Sequence, residues 1–129
     1  MLNFATNSPK GCGGVGGAPG ESVWVKTGAT ATEPQPVLQS NGQFLMNIDK
    51  GNQSVGGKDA TVVGTVENSS TDCQQPVYET KMLANAGPFT VRTDAAGRLW
   101  FLLGTDSGFE GTTSLYYRQF RAALTELPQ

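Results

Sequence analysis

From Glu21 onward the chain alternates apolar and polar positions with a period of two, the repeat of a strand with one face buried. Val23 and Val25 flank Trp24. Phe44, Met46 and Ile48 alternate with Leu45, Asn47 and Asp49, Val62 and Val66 with Thr61, Val63 and Thr65, and Phe89 and Val91 with Thr90 and Arg92. Turn-forming residues separate these runs: Asn41-Gly42, Asp49-Lys50-Gly51, Gly56-Gly57, Asn68-Ser69-Ser70, Ala86-Gly87-Pro88 and Asp94 to Gly97. The clearest local unit is Phe89–Thr93, a turn, then Arg98–Leu103. It predicts a β-hairpin whose second strand, apolar on both faces, sits near the centre of the core. Leu115–Leu127 fits either a helical stripe or one strand face; Thr112, Thr113 and the paired tyrosines favour a long closing strand.

These patterns predict an all-β fold, a single small β-sandwich or β-barrel spanning residues 21–129. Residues 1–20 stand apart. Gly11 to Gly20 lose maximal backbone entropy on ordering and have little to bury, so the segment reads as an extended Gly-rich N-terminal arm. Leu2 and Phe4 form an apolar tip ahead of the glycines, and with Val15 they are the candidate partner contacts. A second loop is expected from Thr27 to Pro36, where Pro34 and Pro36 disfavour helix. Cys12 and Cys73 could close one long loop as a disulfide or stay separate. The mobile setting expected for Cys12 favours free thiols.

Composition then narrows the function classes. With 17 glycines, 7 prolines and 37% hydrophobic residues, much of the 129-residue chain runs as turns around one modest core. Nine basic and eleven acidic side chains give a net charge of −2 with no run of either sign, so no nucleic-acid partner is expected. No apolar stretch approaches the roughly 20 residues of a membrane span, and the opening residues lack the pattern of a signal peptide, so no membrane association is expected. The absence of histidine removes the commonest general acid–base and metal ligand, which argues against an enzyme.

Motifs that brush against known chemistry lack its context. Gly11-Cys12-Gly13-Gly14-Val15-Gly16 spells a dinucleotide fingerprint, but no strand delivers it and no helix receives it. Gly51 to Lys58 resembles a phosphate loop with the lysine one residue too late. Asp106 and Glu110 are too few for a calcium loop, and no two of the acids stand out as a pair for sugar hydrolysis. Asn52-Gln53-Ser54 and Asn68-Ser69-Ser70 match glycosylation acceptors and read as turns. No cofactor is expected. Trp24, Tyr78, Trp100, Tyr116 and Tyr117 are expected mostly in the core, one or two of them outward.

A compact β body, a glycine-rich arm with an apolar tip and few charges together resemble the accessory proteins of tailed-phage virions, the capsid decoration or cement proteins, in composition and layout. The resemblance implies a non-enzymatic structural protein, assembled in the host cytoplasm, whose partners are other protein subunits, its own copies or a capsid lattice. The alternative from another class is a carbohydrate-binding β module using exposed aromatics.

Overall fold

The computed structural model describes residues 1–128 and contains eight strands and no helix among them. In chain order they are β1 (Leu2–Thr6), β2 (Val23–Thr30), β3 (Pro36–Leu38), β4 (Phe44–Met46), β5 (Ala60–Thr65), β6 (Glu79–Leu83), β7 (Trp100–Ser107) and β8 (Leu115–Phe120). They make three antiparallel sheets, ordered β6-β1-β8, β5-β2-β7 and β3-β4. Neither three-stranded sheet closes into a barrel.

One small core joins the two three-stranded sheets. β1 contributes Leu2 and Phe4, β2 contributes Val23 and Val25, and Val66 follows β5; Leu83, Leu103, Phe109 and Leu115 pack around them. The period of two explains the selection. Along β1 the odd members Leu2, Phe4 and Thr6 are buried while Asn3 and Ala5 are half-buried on the other face. Thr6 turns a hydroxyl into this apolar layer because its Oγ1 donates to the Val66 carbonyl at 2.7 Å.

The N-terminal residues are therefore not an arm. β1 is the middle strand of its sheet, and Leu2 and Phe4 are 1% and 0% exposed. The glycine-rich stretch that follows lies folded against the body. Asn68 N–H donates to the Ser8 carbonyl and Lys10 N–H to the Ser70 carbonyl, both at 2.8 Å. This pairing brings Cys12 beside Cys73, and the two form a disulfide with Cα atoms 5.9 Å apart, where free thiols were expected. Further along, Glu110 N–H donates to the Val15 carbonyl at 2.8 Å. Gly16 shows why glycine stands here: its φ is +78°, and a Cβ would meet the Gly108 carbonyl oxygen at 2.2 Å. The residues that looked like slack chain serve close backbone approach.

Other expectations also change. Phe89–Thr93 form no strand, although the turn after them is real: Asp94 N–H bonds the Arg98 carbonyl and Gly97 N–H the Asp94 carbonyl, each at 3.0 Å. β7 pairs with β2 instead and lies at an edge of its sheet, not at the centre of the core. The closing strand is short, ending at Phe120, and residues 121–128 follow as irregular, exposed chain. The expected loop from Thr27 is strand as far as Thr30, and Pro36 opens β3.

Candidate interaction surface

β3 and β4 are joined by a tight turn. Gln39 N–H donates to the Gln43 carbonyl at 2.7 Å and Gly42 N–H to the Gln39 carbonyl at 3.0 Å, with Gly42 at φ +85°. Asn47 closes the base of the hairpin: its Oδ1 accepts the Gln35 N–H at 2.8 Å, its own N–H donates to the Gln35 carbonyl, and its Nδ2 donates to the Glu33 carbonyl, both at 3.0 Å. The hairpin is a separate two-stranded sheet and every one of its strand residues is exposed.

Its side chains are apolar on both faces. The register Pro36↔Met46, Val37↔Leu45, Leu38↔Phe44 puts Pro36, Leu38, Phe44 and Met46 on one face and Val37 and Leu45 on the other. Leu38, Phe44 and Leu45 are 62%, 64% and 61% exposed. From Pro34 to Ile48 there is no charged residue. Two-stranded hairpins are marginal in water unless further strands or a packed face support them. Covering these three side chains would contribute about 1–2 kcal/mol each, from the roughly 1.5–3 kcal/mol of complete burial. Against an association cost of about 4–15 kcal/mol, one such contact gives weak binding and several in parallel give a stable assembly.

A second cluster fixes the loop beside the body. Lys26 on β2 has a side chain only 5% exposed and donates to the Lys50 carbonyl (2.7 Å), the Val55 carbonyl (3.0 Å) and Asp106 Oδ2 (3.3 Å). That engages all three ammonium hydrogens. Lys50 Nζ and Gln53 N–H reach the same Asp106 oxygen at 2.8 and 2.9 Å. Burial alone would raise the Asp106 carboxyl, but Lys50, the Gln53 N–H and Lys26 together hold it below the ordinary carboxylate range. The Asp106 carboxylate is thus engaged by two ammonium groups. Of the loop that resembled a phosphate cradle, the two end residues turn their N–H groups on the adjacent Asp49: Lys58 and Gly51 donate to its carboxylate and keep its pKa low.

The aromatics are more exposed than expected. Tyr78, Tyr116 and Tyr117 all face solvent, the first two in edge-to-face contact with ring centroids 5.5 Å apart. Trp24 and Trp100 are half-buried. Phe101 and Phe120 lie beside a cavity of about 300 Å³, in whose described lining Arg121 carries the one charged side chain. No helix among the described residues is long and apolar enough to cross a membrane.

Of the three residues proposed as partner contacts, Leu2 and Phe4 are core and only Val15, 70% exposed, is at the surface. The hairpin was not among these expected contacts. Its signal was present in the uncharged stretch from Pro34 to Ile48, where Phe44-Leu45-Met46 run apolar without a break. Comparison with protein-family models, with curated proteins and with solved structures finds no match.

Proposed function

We propose that the chain is a non-enzymatic structural subunit that works in an assembly with other protein subunits, its own copies foremost. The observation that supports this is the two-faced apolar hairpin, exposed on a chain whose own core is small. Within this reading the body is a small β-sandwich, its two three-stranded sheets sharing one layer of side chains. The finer identity is that of a tailed-phage virion accessory protein of the decoration or cement kind. A particle assembled in the host cytoplasm and then released into an oxidising medium would acquire the Cys12–Cys73 bond after release.

Light scattering behind size-exclusion chromatography, across about 1–200 µM, tests the reading. The expected result is a mass above the 13.6 kDa of one chain that rises with concentration. A single-chain mass throughout contradicts it.

The exposed Tyr78–Tyr116 pair favours a second reading, a carbohydrate-binding module, since paired rings offer a stacking platform. A glycan array that leaves Tyr116→Ala and the unaltered chain equally silent removes it.

A further inference from the structure

The hairpin has two outer edges, and they are chemically unlike. Gln39 N–H pairs with the Gln43 carbonyl and Asn47 N–H with the Gln35 carbonyl, so in the alternating antiparallel pattern the pairs 39/43, 37/45 and 35/47 bond inward. The backbone groups of Leu38 and Pro36 on β3, and of Phe44 and Met46 on β4, then point away from the hairpin. On the β3 side Pro36 has no N–H to offer. On the β4 side both residues present a donor and an acceptor.

Exposed edges of this sort are normally blunted by charge, proline or a bulge. The other edge strands follow that rule: β6 carries Glu79 and Lys81, β7 Asp106, β8 Arg118, and the β5 ladder is bulged against β2 between Val25 and Lys26. β4 has no such device, and no charged residue lies within the hairpin to oppose an identical copy.

We infer that the partner of this edge is the β4 strand of a second copy, paired antiparallel about a two-fold axis through Leu45. The inference rests on the assembly reading and specifies its contact. The axis sets Phe44 opposite Met46 of the second copy, and the outward groups of these residues are the ones that a hydrogen-bonded pair needs. Four inter-chain hydrogen bonds form, and the product is a four-stranded sheet ordered β3-β4-β4-β3. Pro36 then lies at both outer edges, so growth stops at two hairpins and the contact is closed. Each apolar face of the hairpin becomes continuous with that of its copy, with Leu45 beside Leu45 at the centre.

Leu45 opposite its own copy is a non-hydrogen-bonded pair with Cα atoms about 4.5 Å apart, within reach of a disulfide. Both native cysteines are already bonded to each other. Leu45→Cys, incubated at about 50 µM with oxidised glutathione and run on a non-reducing gel, should convert mostly to a linked dimer. Val37→Cys is the control, because β3 and its copy lie three strand spacings apart, about 14 Å, and it should stay monomeric. Met46→Pro removes an outward donor from each copy while leaving the hairpin's own bonds, and should weaken self-association about tenfold or more.

An unlinked Leu45→Cys variant overturns the inference, as does equal linking of Val37→Cys or a Met46→Pro variant that associates like the unaltered chain. If the unaltered chain still scatters as an oligomer in any of those cases, the assembly reading stands and only this contact fails. A monomer at every concentration removes both.

Discussion

Replacing Cys12 and Cys73 together by serine should lower the unfolding free energy by about 4 kcal/mol, read from urea melts at pH 7. The two cysteines are 61 positions apart, a loop whose closure restricts the unfolded chain by an amount between the roughly 3 kcal/mol of a 15-residue loop and 4.7 of a 100-residue one. Here the loss falls on a body with little reserve, since its fully buried apolar residues are essentially Leu2, Phe4, Val23, Val25 and Val66. The bond also tethers the glycine-rich strap to the 68–73 segment. Reduction of the unaltered chain should therefore reproduce the effect of the double substitution. A midpoint in urea that does not move on reduction would show that the loop contributes nothing to stability.

The second large effect belongs to Asp106. Replacing it by alanine leaves the Lys26 ammonium buried without its counter-charge, and loss of one partner of a buried pair costs about 3–5 kcal/mol. Lys50, more exposed, can turn to solvent. The double variant Lys26→Met with Asp106→Ala should recover much of the loss, because no buried charge is then left uncompensated. The pH dependence follows from the direction of the shift. The folded carboxyl titrates below the unfolded one, so its contribution is complete above the unfolded carboxylate value near pH 4 and disappears as pH falls through the lower folded value. Asp106→Asn should flatten the acid limb of stability against pH below about 4 and leave the neutral limb parallel to that of the unaltered chain. An unchanged acid limb would mean that other carboxylates carry it.

How much of this was legible in the residues depends on which dimension each feature needs. β2 could be read directly, because Val23-Trp24-Val25 alternates and β-branched residues suit a pleated surface. The turn at Asp94–Gly97 was also readable, since its bonds are local. The strand after it was misplaced: Trp100–Ser107 pairs with a strand seventy or more positions earlier, and alternation does not name a partner. The glycines of the strap show a different limit. Composition gives their freedom in the unfolded chain but not the approach of Gly108 that requires Gly16 to lack a side chain. Phe44, Met46 and Ile48 recur with the period of a half-buried strand, and only the three-dimensional placement of the hairpin shows that its apolar faces have no cover among the described residues. The candidate surface was thus visible as a charge-free apolar stretch and hidden as a surface.

The claim that this hairpin is covered in the working state can be tested by residue-resolved amide hydrogen exchange at a series of protein concentrations. The outward Phe44 and Met46 amides should be protected at high concentration and return to the solvent rate on dilution, while the β1 and β2 amides stay protected throughout. Phe44 and Met46 amides that exchange at the unprotected rate at every concentration would contradict it.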